Sequence, residues 1–365
     1  MNFIERVVDL AIKIQQIPAP TFQENQRGQF IHQVFKSEGL ADVEIDSAGN
    51  VYGRLAATFS RKSAKPIVIS AHLDTIFPID RELHIIRQGE RLAGPGIGDN
   101  SIGLAGLVGL TWMLYERNVS LNRDIWLVAN TGEEGLGNLV GMKAVCDRFK
   151  DQVKAYIILE GIGLGEIFHR ALAVSRFRVT ITTPGGHSWT DYGSPSAIHE
   201  IARLITSLDR LDLPANPRTT LNAGVISGGT SINTIAANAS FELDIRSEQS
   251  DCLQDVVAQL NELIMGANRD KVRAYAELIG QRPSGAIPAG HWLVQLASRC
   301  LLDQGIMPNT HIGSTDANIP LSRGFPAICI GLTTGGRAHT MDEFIHITPL
   351  ARGIESLFQI IYEAS

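Results

Sequence analysis

Short apolar runs without charge alternate with amphipathic segments in both terminal thirds of this 365-residue chain. Residues 67–70, 125–129, 157–159 and 327–330 are such runs, the pattern of strands buried on both faces of a parallel sheet. Phe3, Val7, Leu10 and Ile14 recur at helical spacing in residues 1–14, which also carry Glu5, Arg6 and Asp9. That segment reads as an amphipathic core helix and not as a signal peptide. A Gly- and Leu-rich helix is expected from the turn at 94–101 to about Glu116.

The pattern changes near Val174 and reverts near Arg282. Phe177, Val179 and Ile181 alternate with polar residues as in a strand, and Ile201, Leu204, Ile205 and Leu208 follow a helical face. Strands at 219–226 and 240–246 come next, then a helix carrying Leu253, Val256, Val257, Leu260, Leu263 and Ile264, and a last strand at 272–279. The order β-α-β-β-α-β is that of a ferredoxin-like unit. The expected fold is therefore α/β: a mainly parallel sheet flanked by helices, formed by residues 1–174 plus 283–365, with an inserted α+β domain at 175–282. The length also exceeds what one core usually supports.

Composition narrows the function. A formal charge of −6 gives no electrostatic case for nucleic acid or an anionic membrane. The longest apolar stretch, around 102–115, falls short of the roughly 20 residues of a membrane span. Cys146, Cys252, Cys300 and Cys329 are scattered with no C-x-x-C, so they read as reduced, buried thiols of a cytoplasmic protein and offer no zinc knuckle.

Seven side chains able to serve a metal site lie in short polar motifs: His72, Asp74, Asp99, Glu133, Glu134, Glu160 and His339. Most follow apolar runs, and in an open α/β sheet functional groups gather beyond the carboxyl ends of the strands. His72 and Asp74 are two apart at a strand end and so share a side. Asp74 is the expected carboxylate partner of the His72 ring. Asp99 follows the glycines of Gly94-Pro95-Gly96-Ile97-Gly98, where a carboxylate at a helix start could bridge two cations. A dinucleotide loop fails on spacing, because the third glycine of G-x-G-x-x-G would fall on Ser101. Adjacent Glu133 and Glu134 suit a division into general base and ligand. Glu160 closes an apolar strand, where an unpaired charge is costly. Taken singly, each motif is explained as well by a satisfied buried histidine or a solvated acidic turn; their number and placement favour a metal site.

The ordered segments SAHLDT, GDNSIGLAGL, NTGEEGLG, LEG and GGRAHTMDE resemble a co-catalytic two-zinc peptidase family. That family includes carboxypeptidase G, aminoacylase, acetylornithine deacetylase, succinyl-diaminopimelate desuccinylase and the bacterial tripeptidases. The resemblance implies one zinc on His72 and Glu160, a second on Glu134 and His339, Asp99 bridging them before a cis peptide, and Glu133 as general base. Cobalt or manganese would substitute in vitro. It further implies that the inserted domain dimerises, that His187 in Pro184-Gly185-Gly186-His187-Ser188 reaches a partner's active site, and that Asn233 and Arg246 contact substrate, Arg246 through a carboxylate. Gly313 and Ser314 open a loop expected to line the pocket, though polar turn chemistry explains it almost as well.

The expected function is a two-metal amidohydrolase, an exopeptidase of carboxypeptidase type acting on small peptides. The alternative is an N-acyl amino acid deacylase. An inactive binding homologue is disfavoured by retention of all five ligands and Glu133.

Overall fold

The computed structural model describes residues 2–59 and 64–365; Met1, the first residue of the expected N-terminal helix, lies outside them. Two compact units result, one extending to Ala171 and resuming at Gly285–Ser365, the other spanning Leu172–Ser284.

The first unit is built on a nine-stranded sheet. Its strands run in the spatial order Ala41–Ile45, Val51–Leu55, Ile125–Asn130, Ile67–His72, Ala155–Ile162, Ala327–Thr333, Glu166–Ala171 and Gly285–Ala286, with Asn309–Gly313 also pairing Glu166–Ala171. The central four, 125–130, 67–72, 155–162 and 327–333, are mutually parallel. Every residue of Ile67–His72 and of Ala327–Thr333 is buried, which is why these runs are apolar without alternation. Helices Phe3–Gln15, Ile102–Glu116, Trp292–Asp303 and Leu350–Ala364 pack one another in series beside the sheet. Helix Ile102–Glu116 is apolar nearly all round because it is buried nearly all round. A Cβ on its Gly106 would come within 2.2 Å of Leu332 Cδ1, so the glycine permits the close approach of helix and sheet.

In the second unit, strands Ala173–Thr182, Thr219–Gly228, Asn238–Ser247 and Arg273–Arg282 form an antiparallel sheet in the order 219–228, 238–247, 173–182, 273–282. Helices Ala197–Asp209 and Ser250–Ala267 pack against it through Ile201, Leu204, Leu253, Val256 and Leu260. This is the ferredoxin-like arrangement. Gly186–His187 also pairs with Thr234–Ile235, which the sequence pattern does not predict because two-residue strands carry no readable periodicity. No helix among the described residues is long and apolar enough to cross a membrane.

Candidate metal centre

The parallel strands deliver their functional residues to one edge. His72 ends its strand in register with Asn130, and Glu160 lies in register with Gly331. Strand 155–162 continues two residues beyond Glu160. Glu133 and Glu134 occupy the turn after strand 125–130, and Asp99 the kinked turn that precedes helix 102–116. The Asp99–Asn100 peptide is cis. His339 lies in the loop after Gly335–Gly336 with φ of 65°, a left-handed conformation uncommon outside glycine.

The five expected ligands meet. His72 Nε2 is 2.9 Å from Asp99 Oδ1 and 3.6 Å from Glu160 Oε2. His339 Nε2 is 3.1 Å from Asp99 Oδ2 and 3.1 Å from Glu134 Oε1. Asp99 thus offers one oxygen to each imidazole, with Glu160 on the His72 side and Glu134 on the His339 side. Donor atoms of His72, Asp99 and Glu134 all lie within 4.8 Å of one another.

The electrostatics fit a cation site. Burial opposes charge on His72, yet the Glu160 charge and bonds to Asp74, Asp99 and Glu160 raise its pKa well above the ordinary value. Bonds to Asp99 and Glu134 push His339 up to about 10. Burial would raise Asp99, but bonds from both histidines hold it well below the usual carboxylate range. Burial raises Glu160. Three acids crowded around two imidazoles attract positive charge, and imidazole with carboxylate is a donor set suited to zinc and other divalent first-row metals.

The surrounding residues orient these groups. His72 Nδ1–H donates to the Asp74 backbone carbonyl at 2.9 Å, which directs Nε2 toward the cluster. The Asp74 carboxylate is 3.6 Å from that nitrogen. It accepts instead from the backbone N–H groups of Glu133 at 3.0 Å and Glu134 at 2.9 Å, and from Thr21 Oγ1 at 2.9 Å. Glu24 accepts from the Gly132 N–H, and buried Arg27 donates to the carbonyls of Ile17 and Leu73. Burial lowers the Arg27 pKa to about 10. Thr21, Glu24 and Arg27 escape sequence reasoning because they follow no apolar strand and their contacts depend on the completed fold. Asn130 Nδ2 donates to Asp316 at 2.6 Å, tying the 313–318 loop to the end of the strand that leads to Glu133. Burial pushes the Asp316 carboxyl up to about 7.

Gly313 ends strand Asn309–Gly313, where a Cβ would come within 2.7 Å of the Phe168 ring, and Ser314 follows it at intermediate exposure. In the second unit, Ser188 N–H donates to the Asn233 carbonyl at 3.0 Å, which joins the turns bearing His187 and Asn233. His187 Nδ1 accepts from the backbone N–H groups of Trp189 and Thr190 at 3.1 and 3.4 Å. Its ring proton therefore sits on Nε2 in the neutral form, and the residue is exposed. Arg246 Nε donates to Asp244 at 2.6 Å, and Asp244 also accepts from Arg176.

The chain is similar to several known proteins. A family profile described as "Peptidase dimerisation domain" matches residues 173–271, and one described as "Peptidase family M28" matches residues 50–181. A peptidase M20 domain-containing protein of Schizosaccharomyces pombe is 26% identical over 70% of this chain, and the match spans 64% of that relative's length. Carboxypeptidase G2 of Pseudomonas sp. is 23% identical over 92% of this chain and 83% of its own. The crystal structure of a tripeptidase from Staphylococcus aureus superposes with a TM-score of 0.84 at 21% identity, covering 99% of this chain and 98% of that one, and so shares the fold. The dimerisation-domain profile falls on the inserted unit, while the peptidase profile falls on the stretch that contains His72, Asp99, Glu133, Glu134 and Glu160. By these likenesses the chain resembles the peptidases of the M20 family.

Proposed function

We propose that this protein is a metal-dependent exopeptidase of carboxypeptidase type, cleaving small peptides at a pair of divalent cations. The observation that carries the reading is the placement of Asp99 between two imidazoles, each also facing its own glutamate. His72, Glu160 and Asp99 would hold one cation, and His339, Glu134 and Asp99 the other. When bound, two such cations polarise the amide carbonyl and acidify water. Zinc suits the nitrogen and oxygen donors best, and cobalt or manganese would occupy the same set.

The chain's own groups supply the rest. Glu133 takes a proton from the attacking water and returns it to the leaving amine, so that amide and water become acid and amine. His187, with its proton on Nε2, is suited to donate to the developing oxyanion. In this reading it serves the site of a partner protomer, consistent with the dimerisation-domain match on the insert. Arg246, Asn233, Gly313 and Ser314 are assigned to substrate, with the Arg246 fork gripping a free α-carboxylate in place of Asp244. The four free cysteines suit a reducing cytoplasm.

An N-acyl amino acid deacylase would use the same attack on another amide. Incubating metal-loaded protein with dipeptides, tripeptides, N-acyl amino acids and the C-terminal amides of each, with products read by mass spectrometry, separates the two. Cleavage of free-acid peptides with sparing of their amides supports the carboxypeptidase reading. Cleavage of acyl amino acids alone assigns the deacylase. Turnover of none contradicts both.

A further inference from the structure

Glu343 is wholly buried four residues beyond His339, and the proposed chemistry does not use it. Its Oε1 accepts from the backbone N–H groups of Gly98 at 2.6 Å and Asp99 at 2.7 Å, and its Oε2 from that of Gly96 at 3.2 Å. Its backbone carbonyl accepts from Gly94 at 2.8 Å. One side chain thus gathers the N–H groups of the turn that presents Asp99, a concave array of backbone donors suited to an anion. Its own loop presents His339, whose left-handed backbone persists only where the surroundings hold it.

The remainder of the Asp99 turn is fastened by a separate contact. Asn100 Nδ2 donates to the carbonyl of Leu159 at 2.7 Å, the residue before Glu160. The two anchors differ in kind. Asn100 ties the turn to a strand of the rigid sheet, whereas Glu343 ties it to the loop of the other histidine.

We infer that Glu343 is a positioning residue that sets the separation between Asp99 and His339, and through it the geometry of the two-cation site. The inference rests on the metal-site reading above. Glu343 touches no reacting group. It acts through the Asp99 main chain, and its loss lets the shared carboxylate drift relative to His339.

Glu343→Gln keeps the volume and one accepting oxygen but turns an N–H₂ toward backbone donors; Glu343→Ala removes the tie. Both are to be compared with wild type at low temperature, where circular dichroism verifies folding, for zinc affinity and stoichiometry by calorimetry, for kcat and KM, and for unfolding temperature. The expected result for folded Glu343→Gln is zinc binding weakened by about 10–100-fold, the usual effect of removing a partner that orients a ligand. A fall in kcat with KM little changed should accompany it, and Glu343→Ala should exceed it in both. A pure scaffold role would lower only the unfolding temperature. Folded Glu343→Gln with wild-type zinc affinity and kcat overturns the inference. Wild-type protein that binds two zinc ions yet hydrolyses no amide contradicts the proposed reaction, and the affinity comparison still decides the role of Glu343.

Discussion

The Asp74 carboxylate holds the main chain of Glu133, its Oδ1 accepting the Glu133 N–H at 3.0 Å, while the His72 ring is held by the Asp74 carbonyl. One residue therefore orients a ligand with its backbone and the candidate base with its side chain. Asp74→Asn leaves the backbone contact and sets an N–H₂ among the donors of Glu133, Glu134 and Thr21. Turnover should fall by about 10–100-fold with the fold intact. Steady-state kinetics beside circular dichroism checks this; unchanged kcat in Asp74→Asn removes the orienting role.

Glu133 and Glu134 are both buried neighbours, and Glu134 sets a carboxylate oxygen against His339 at 3.1 Å. Glu133→Ala should cut kcat by about 10²–10⁴-fold, the usual contribution of a general base, with metal content retained. Glu134→Ala should lose metal as well. Metal analysis by plasma mass spectrometry alongside kinetics separates them, and the reverse pattern would exchange the two roles.

Much of this was legible in the sequence. His72, Glu133, Glu134 and Glu160 follow short apolar runs that suit doubly covered parallel strands, and such strands end at a common edge. The ferredoxin-like order was readable because strands such as 173–182 alternate cleanly between buried and partly exposed positions. The supports of the site were not readable. Thr21 meets Asp74 across 53 residues and Glu24 meets Gly132 across 108, through side chains that mark no strand end. Glu343 stands inside a recognisable motif, but its task appears only once the Asp99 turn closes on it. That His72 Nδ1 lies nearer the Asp74 carbonyl, at 2.9 Å, than the Asp74 carboxylate, at 3.6 Å, depends on a strand-end geometry that spacing alone does not fix.

Asp316 predicts a pH dependence of stability. Its carboxyl is pushed up to about 7 by burial, whereas an unfolded aspartate titrates near 3.9. Between those values the folded state holds a proton that the unfolded state releases, so this group's contribution is full below about pH 3.9 and declines as pH rises to about 7. The decline is about 1.4 kcal/mol per pH unit and stops above the folded pKa. Asp316→Asn cannot titrate. In metal-free protein its stability relative to wild type should therefore improve steadily from pH 4 to pH 7 and then level. Denaturant unfolding of both proteins across that range tests the point; a difference independent of pH contradicts it.

His187 is exposed, and its proposed role at the site of a partner protomer is open to a direct test. A mixed dimer of one His187→Ala and one Glu133→Ala protomer retains a single intact site if His187 works in trans and none if it works in cis. Mixing the two inactive homodimers under conditions of verified subunit exchange should restore measurable activity. Absence of recovery in confirmed mixed dimers, or a monomer in solution, opposes the trans assignment.

The central claim is that His72, Glu160, Asp99, Glu134 and His339 hold two cations on which hydrolysis depends. Titrating zinc into chelator-stripped protein while following bound metal and amide hydrolysis together tests it most directly. Activity should be absent without metal, rise with zinc, and saturate at two equivalents, and His72→Ala and His339→Ala should each bind less. Full hydrolysis by rigorously metal-free protein would contradict the account.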